Sequence, residues 1–268
     1  MLKIELPGSN NLFWIEDNTF ESFVENELYH SFYPYATKES NKTVLLQNRD
    51  VFIQVEDLLR IETCKQVTFR RYNDISHVYK TAFSIIRENL QIQNDFSYLH
   101  GAAISIQNKV CLLLAETGAG KSTLGVYLDQ EKEGLCLTDD LIIFQKTSRT
   151  IIPLSKHAHL RNESRELLKK GPLMFYNDIV ERYEHPLSDN RFKQTWKLNY
   201  IFILHRNMNI QTIQPSSMPL VDVLNNMFLP YQMKNNLNSA VKISKDVPIY
   251  NIFYHDLEEA KNLILSLN

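Results

Sequence analysis

Glycine and cysteine are scarce in this chain, which has 7 glycines and 3 cysteines among 268 residues. The cysteines are Cys64, Cys111 and Cys136, far apart and odd in number, and two of them lie within apolar runs. This pattern excludes a disulfide-stabilised framework and predicts reduced, buried thiols. The amino terminus has no apolar stretch typical of a signal peptide, and no run is long enough to span a membrane. We therefore expect a cytoplasmic protein with no membrane partner.

A strong charge imbalance is also absent, because 29 Lys and Arg oppose 31 Asp and Glu for a net charge of −2. Without a basic excess, the sequence does not predict nucleic-acid binding. Hydrophobic residues make up 44% and charged residues 22%, which is typical of a globular fold. The length is sufficient for one large domain or two small ones.

Two of the few glycines fall in the stretch 115–122, which reads Ala-Glu-Thr-Gly-Ala-Gly-Lys-Ser. An apolar run at 110–114 precedes it, and residues 123–128 can continue as a helix. A strand, a glycine loop ending in Lys-Ser and a helix form the phosphate-binding P-loop. Glycines turn backbone N–H groups inward as an anion-binding nest, and the helix amino terminus adds positive charge. The candidate nucleotide-binding residues are Glu116, Thr117, Gly118, Ala119, Gly120, Lys121, Ser122 and Thr123.

Within this loop, Lys121 can reach the terminal phosphates, and the Ser122 hydroxyl can bind Mg²⁺. Ala115 stands where the pattern G-x-x-x-x-G-K-[ST] has its first glycine, and alanine tolerates positive φ poorly. The alternative interpretation is a tight strand-to-helix turn beside a buried lysine. That alternative leaves the Gly-x-Gly-Lys-Ser order unexplained.

An acidic pair, Asp139 and Asp140, follows the next apolar run at 135–137. The intervening helix is a crossover, so this run is predicted to be a strand parallel to 110–114. Its carboxyl end then lies at the ligand-binding edge of the sheet, beside the P-loop. One aspartate can bind Mg²⁺ with Ser122, and the other can accept a proton from an attacking hydroxyl. Both aspartates are therefore candidate metal ligands, and the alternative is a surface Asp-Asp turn.

A β-hairpin is predicted immediately before the P-loop, with strands at 102–106 and 110–114 joined by a polar turn. With the turn centred near Asn108, residue 100 would pair with about residue 116. We therefore expect His100 beside the mouth of the P-loop, where it can donate a hydrogen bond or tune a catalytic acid. The alternative is a purely structural histidine.

The remaining segments predict an α/β fold with α+β character at the amino terminus. Short β-rich runs at 45–72 indicate a meander, and apolar spacing predicts a helix at about 76–91. We expect an amino-terminal subdomain at 1–95 packed on a core at 96–268, as one compact unit. Residues 173–196 are interpreted either as a lid or as a surface excursion. His157 and His159 can share a strand face, but with no further cysteine or histidine nearby we do not expect zinc.

Three motifs together resemble the catalytic domain of the HPr kinase/phosphorylase family. They are Leu99-His100-Gly101, the loop at 116–122 and Thr138-Asp139-Asp140, and their order and approximate spacing match the family over residues 98–146. The layout of the rest, with a Val-Pro-Ile-Tyr strand at 247–250 and a final Asp-Leu-Glu helix, resembles stand-alone HPr-kinase-like enzymes. Those enzymes phosphorylate a serine in lasso-type and other ribosomally made precursor peptides.

The resemblance implies a P-loop kinase core of the HPr kinase and phosphoenolpyruvate carboxykinase type, with a mixed sheet, that uses ATP and Mg²⁺. It implies that Asp140 is the catalytic base, Ser122 a metal ligand, and His100 and Lys121 active-site groups. It also makes a homo-oligomer an expectation. The family's Glu-Ile-Arg-Gly signature is replaced here by Leu-Arg-Asn-Glu at 160–163.

The leading hypothesis is therefore an Mg·ATP-dependent kinase that phosphorylates a serine hydroxyl of a peptide or small protein. One alternative is a kinase of a free amino acid or another small hydroxyl compound. A second alternative is a nucleotide-binding regulatory protein without phosphoryl transfer.

Overall fold

The computed structural model describes residues 1–9, 12–18, 23–40, 51–55, 59–63, 66–70, 75–89, 95–155, 157–168, 175–177, 182–206, 209–227 and 233–267. These residues form a mixed α/β protein in which sheets combine parallel and antiparallel strands. Among them, no helix is both long enough and apolar enough to cross a membrane.

The amino-terminal part is a twisted sheet covered by two helices. Its strands lie in the order β3-β1-β2-β4-β5-β6, with β2 and β4 parallel and the other neighbours antiparallel. The elements are β1 (Leu2–Ile4), β2 (Phe13–Asp17), α1 (Phe23–Ser31), β3 (Ala36–Lys38), β4 (Val51–Val55), β5 (Leu59–Thr63), β6 (Val67–Arg70) and α2 (Ile75–Asn89). The predicted meander (β4–β6) and the helix predicted at about 76–91 (α2) are confirmed.

The period of the apolar residues explains both kinds of element. Along β4 every second residue is buried, so one face of the strand points into the core. Along α2 the buried side chains are Val78, Tyr79, Ala82, Ile85 and Ile86, most of which recur at three- and four-residue spacing. The opposite face of α2 is therefore left for other contacts.

The rest of the chain builds a larger sheet and a small one. The elements are β7 (Phe96–His100), β8 (Ala102–Ile106), β9 (Lys109–Leu114), α3 (Lys121–Gln130), β10 (Gly134–Thr138), β11 (Leu141–Gln145), β12 (Thr150–Ile152), β13 (His157–Leu160), α4 (Asn162–Leu167), β14 (Phe175–Asn177), β15 (Arg182–Pro186), β16 (Trp196–Arg206), β17 (Thr212–Pro215), α5 (Pro219–Asn225), α6 (Met233–Asp246), β18 (Ile249–Tyr254) and α7 (Leu257–Leu265).

The larger sheet has the order β10-β8-β9-β16-β12-β11-β7, and β18 pairs with β16 and β17. The strands β9, β16 and β18 are parallel to one another. The strand β10 runs in the same direction as β9, because each is antiparallel to β8 between them. The predicted direction of the strand before the acidic pair is thus confirmed, although it is not an immediate neighbour of β9.

The predicted β8–β9 hairpin is present, with Ala102 opposite Leu113. Its turn residues Gln107 and Asn108 have φ of 47° and 63°, as a two-residue type I′ turn requires. The predicted pairing of His100 with about residue 116 is wrong, although His100 does lie near the glycine loop, as expected. This residue ends β7, which pairs with β11 and sets His100 opposite Leu141 rather than opposite residue 116.

Gly101 is the reason for this difference. A Cβ at Gly101 would come within 2.6 Å of the Leu113 carbonyl oxygen, so only glycine lets the backbone pass β9 so closely. The chain leaves one strand at His100 and begins another at Ala102. As a result His100 faces the turn between β10 and β11, which contains the acidic pair.

The small sheet, in the order β13-β15-β14, includes part of the segment interpreted as a lid or surface excursion. Within 182–196, Arg191 and Trp196 are buried, so these residues pack into the body of the protein and do not form a lid. Residues 169–174 and 178–181 lie outside the described residues. The stretch 231–245, which has no clear pattern in the sequence, contributes to the helix α6.

One large hydrophobic cluster includes buried residues from both sides of residue 95, such as Ile86 and Tyr98. The Tyr98 hydroxyl also donates a hydrogen bond of 2.7 Å to the Pro7 carbonyl oxygen. These contacts tie the amino-terminal sheet to the larger one. The division into 1–95 and 96–268 stays a prediction.

Candidate active site

A cleft of about 680 Å³ lies over the loop between β9 and α3. Its walls come from α2, the β10–β11 turn, the start of α4, the end of β16 and the chain between the end of β18 and the start of α7. Among the predicted site residues, those that line it are His100, Thr117, Gly118, Gly120, Lys121, Ser122, Thr123, Asp139 and Asp140. The catalytic and metal-binding candidates are thus brought together. The other two candidates, Glu116 and Ala119, belong to the same loop but are not part of the lining.

The loop takes its shape from Gly118 and Gly120, which have φ of 91° and 97°. Gly120 stands at the amino-terminal cap of α3, and its carbonyl oxygen accepts the Leu124 N–H at 2.8 Å. The Tyr254 hydroxyl donates to the Ala119 carbonyl oxygen and anchors the loop to β18. Ala115 has a negative φ, so the alanine that departs from the glycine pattern causes no backbone strain.

Lys121 is buried at the start of α3. Its ammonium donates hydrogen bonds to the carbonyl oxygens of Ala115 and Glu116, at 2.8 and 3.3 Å. Burial lowers the pKa of Lys121, while the nearby Asp139 and Asp140 oppose this shift. The lysine is thus folded back on its own loop, and it can exchange two neutral acceptors for an anion in the cleft.

The hydroxyl groups of the two residues after Lys121, Ser122 and Thr123, point toward different partners. The Thr123 hydroxyl is engaged with Ser164 of α4, with 2.8 Å between the two oxygens. The Ser122 hydroxyl lies close enough to Asp139 to lower the pKa of that carboxyl group. Of the two, Ser122 is therefore the hydroxyl directed toward the acidic pair.

Asp139 is buried, and one of its carboxylate oxygens, Oδ2, accepts the His159 backbone N–H at 3.1 Å. Burial, together with repulsion from the neighbouring Asp140, raises the pKa of Asp139. The second oxygen, Oδ1, is buried and has no hydrogen-bond partner within the part of the chain that the structure describes. Burying a hydrogen-bond acceptor without a partner costs folding free energy, so this oxygen indicates that a partner is missing.

Asp140 is held in an uncommon conformation, with φ of 65° in the tight turn between β10 and β11. The His100 ring nitrogen Nδ1 lies 3.1 Å from both the Asp140 backbone oxygen and its carboxylate Oδ1. Burial alone would raise the pKa of Asp140, but the His100 hydrogen bond and the positive charges of His100, Arg87 and His159 lower it to about 2. Asp140 is therefore ionised at neutral pH, at a position open to the cleft.

The two histidines on β13 contact a buried glutamate on β15. Nδ1 of His157 lies 2.7 Å from Glu184 Oε2, and Nε2 of His159 lies 3.6 Å from Oε1. Burial opposes ionisation of Glu184, but the hydrogen bonds and charges of the two histidines hold its pKa well below the usual range. These contacts bind the two strands to each other and, through the His159 N–H, support Asp139.

Sequence reasoning missed one wall of the cleft entirely. Five residues of α2 line it, together with Arg206 at the end of β16 and residues 254–257, which run from the end of β18 to the start of α7. The α2 residues are Tyr79, Lys80, Phe83, Ser84 and Arg87. Their three- and four-residue spacing was a usable signal, because it places them along one side of α2, next to the buried apolar residues.

The residues present suit a magnesium ion. Mg²⁺ prefers oxygen ligands and is commonly bound by one or two carboxylates together with substrate phosphates. Asp139 has a buried carboxylate oxygen without a partner, Ser122 has a hydroxyl beside it, and Asp140 is ionised next to both. At the α7 end of the cleft, His255, Asp256 and Glu259 also lie close together, but both carboxylates there already accept backbone N–H groups at the start of α7.

No protein-family model matches this chain, and a search of curated proteins finds no match. Among solved structures, the chain is similar to the HPr(Ser) kinase/phosphatase from Coxiella burnetii, with 11% sequence identity and a TM-score of 0.34. The match covers 63% of this chain and 89% of the other. A likeness this distant does not by itself indicate an activity.

Proposed function

We propose that this protein is an Mg·ATP-dependent kinase that transfers a phosphoryl group to a serine hydroxyl of a peptide or small protein. One observation carries the proposal: a glycine loop at a helix amino terminus and an ionised carboxylate, Asp140, face the same cleft. The loop suits phosphates, and the carboxylate suits a hydroxyl that must lose its proton. The motif resemblance to HPr kinases favours serine, including serines of ribosomally made precursor peptides.

The roles of the residues follow from their positions. The backbone N–H groups of the loop and the ammonium of Lys121 would stabilise the negative charge of the phosphates. Ser122 and Asp139 would hold Mg²⁺, which neutralises phosphate charge when it is bound. Asp140 would accept the proton of the serine hydroxyl, and His100 would keep Asp140 ionised and oriented.

The test is phosphoryl transfer from Mg·ATP to a mixture of serine-bearing peptides, HPr, free amino acids and small hydroxyl compounds, followed by mass spectrometry. Wild type is compared with Asp140→Asn and Lys121→Ala. Lys109→Ala is the matched control, because Lys109 lies at the opposite end of β9, outside the cleft.

We expect wild type and Lys109→Ala to add one phosphoryl group to a peptide, and the two site variants to lose this activity. Phosphorylation of only a small hydroxyl compound would replace the peptide kinase with a small-molecule kinase. ATP binding without transfer to any acceptor, unchanged in Asp140→Asn, would contradict the proposal and favour a regulatory nucleotide-binding protein.

A further inference from the structure

The cations that line the cleft come from three places, which are the glycine loop and its surroundings, the helix α2, and Arg206 at the end of β16. Lys121 and Arg161 lie beside the glycine loop, where a Cβ at Gly118 would be 3.8 Å from the Arg161 guanidinium. Lys80 and Arg87 lie on α2, and the positive charge of Arg87 acts on Asp140. The cleft thus has cations beside the glycine loop and, from a separate stretch of the chain, cations on α2.

The α2 wall is firmly held in place. The hydroxyls of Tyr79 and Ser31 are hydrogen-bonded at 2.9 Å, and the Phe83 ring is stacked on Phe32 with 5.2 Å between centroids. The Arg87 guanidinium lies 5.9 Å from the Phe83 ring centroid. Side chains on a helix anchored in this way are positioned more accurately than side chains on a loop, as a specificity surface requires.

The charged side chains among the cleft-lining residues of α2 are all positive. Its five cleft-lining residues include two cations, Lys80 and Arg87, and no acid. The two cations are seven residues apart, or about 10 Å along the helix axis. An extended peptide covers that distance with about three residues.

We propose that α2 selects an acidic serine peptide, with Arg87 binding a carboxylate next to the serine and Lys80 binding a second one about three residues away. The inference rests on the proposed kinase function. The phosphates already have Lys121, Arg161 and the loop N–H groups, which lie together at the glycine loop. The α2 cations are therefore assigned to the acceptor. Opposite charges at such a surface increase both the association rate and the selectivity.

The test uses the full-length protein, Mg·ATP and a library of serine peptides in which each flanking position is varied among Asp, Ala and Lys. Wild type is compared with Lys80→Glu and Arg87→Gln. Lys245→Glu is the control, because Lys245 is an exposed lysine on another helix, α6, outside the cleft. The binding constant of ATP is measured for each variant as well.

We expect wild type and Lys245→Glu to prefer Asp at one position next to the serine and at a second position about three residues away. In Arg87→Gln the first preference should fall about tenfold in kcat/KM, as for a partly buried charged hydrogen bond. In Lys80→Glu the second preference should change from Asp to Lys, a difference of about threefold for an exposed charge. Loss of folding cannot produce this gain of a new preference.

The other outcomes overturn the inference in distinguishable ways. Transfer by wild type with no preference for Asp, or with a preference unchanged in both α2 variants, overturns the inference but leaves the kinase in place. Weaker ATP binding in the variants with unchanged peptide selection shows that α2 binds phosphates instead. No transfer by wild type to any peptide overturns the proposed function together with the inference.

Discussion

At the scale of single residues, the site concentrates backbone conformations that most residues avoid. Gly118, Gly120 and Asp140 all have positive φ, and all three line the cleft. For the glycines this conformation has almost no steric cost, whereas for an aspartate it requires support from its surroundings. The His100 contacts and the Gly101 N–H, which donates to the Asp140 oxygen at 3.3 Å, supply that support.

The first prediction concerns His100. Replacing it with leucine removes the hydrogen bond and charge that lower the pKa of Asp140, so the pKa should rise from about 2 toward or above its ordinary value of 3.8. Because the folded pKa is depressed, ionised Asp140 stabilises the fold above pH 3.8, and wild type loses this contribution as the pH falls toward 2.

Carboxyl-carbon NMR of the metal-free protein measures the change in the pKa of Asp140. His205→Leu, outside the cleft, is the control, and an unchanged Asp140 titration in His100→Leu would refute the assigned cause.

The second prediction compares the two loop glycines. Alanine at either position would have to adopt a left-handed backbone conformation, which costs about 1–2 kcal/mol. A Cβ at Gly120 would also lie 2.9 Å from the Tyr254 hydroxyl, whereas one at Gly118 would meet nothing closer than 3.8 Å. Gly120→Ala should therefore lower the free energy of unfolding, measured in urea, by more than Gly118→Ala does. Adding Tyr254→Phe to Gly120→Ala should recover part of the difference, and equal costs for the two glycines would contradict the packing argument.

At the scale of elements, the sheet pair β13–β15 depends on one buried carboxylate, Glu184. Glu184→Gln keeps the shape but removes the charge that the two histidines bind, so we expect a loss of about 1.5–3 kcal/mol at pH 6. The pKa of Glu184 is depressed on folding, so its contribution is present above the ordinary value of 4.5 and decreases as the pH falls below it.

The measurement is urea unfolding of wild type and Glu184→Gln at pH 6 and pH 3. The difference between the two proteins should be larger at pH 6. At that pH His159, whose pKa is raised above 6.5 by Glu184 and the acidic pair despite the opposing effect of burial, carries its positive charge. An equal difference at both pH values would show that the glutamate acts only by packing.

The elements that the sequence predicts correctly are those whose pattern is local. The helix α2 has clear apolar spacing, and the hairpin β8–β9 has a polar turn between two apolar runs. The helix α6 is rich in Asn and Lys, which gives no clear signal, and it is stabilised by burial of Ala240 and Ile243. The pairing of β7 with β11 could not be predicted either, because it depends on the close passage of Gly101 over Leu113.

The site residues also divide into those in local motifs, which the sequence predicts, and those placed by long-range packing, which it does not. The glycine loop and the acidic pair are contiguous motifs with recognisable chemistry, and the sequence alone indicates that they lie near each other. The α2 wall belongs to a distant stretch of chain, and only tertiary packing brings it to the cleft. A sequence pattern can identify the cleft-lining side of α2, but it cannot identify the distant residues that this side contacts.

At the scale of the whole molecule, the continuous hydrophobic cluster predicts one cooperative unfolding transition. The two tryptophans test this, because Trp14 lies in β2 of the amino-terminal sheet and Trp196 begins β16 of the larger one. In the variants Trp14→Phe and Trp196→Phe, the remaining tryptophan reports on one sheet only.

In each variant, the fluorescence and far-ultraviolet circular dichroism transitions in urea should coincide, as a two-state transition requires. A fluorescence midpoint that differs from the circular dichroism midpoint in either variant would instead identify two independently folding units. The comparison is made within each variant, so any destabilisation caused by the substitution itself does not affect the result.

The two walls of the cleft come from different stretches of the chain, with α2 before residue 95 and the glycine loop and acidic pair after it. Substitutions can therefore accumulate in one wall independently of the other. Under the proposed function, substitutions at Lys80 of α2 would change the preferred acceptor without altering the glycine loop, so related proteins would differ in their acceptors and share the same transfer chemistry. A chimera that carries the amino-terminal segment of one relative on the core of another would show this divergence as a change in acceptor preference.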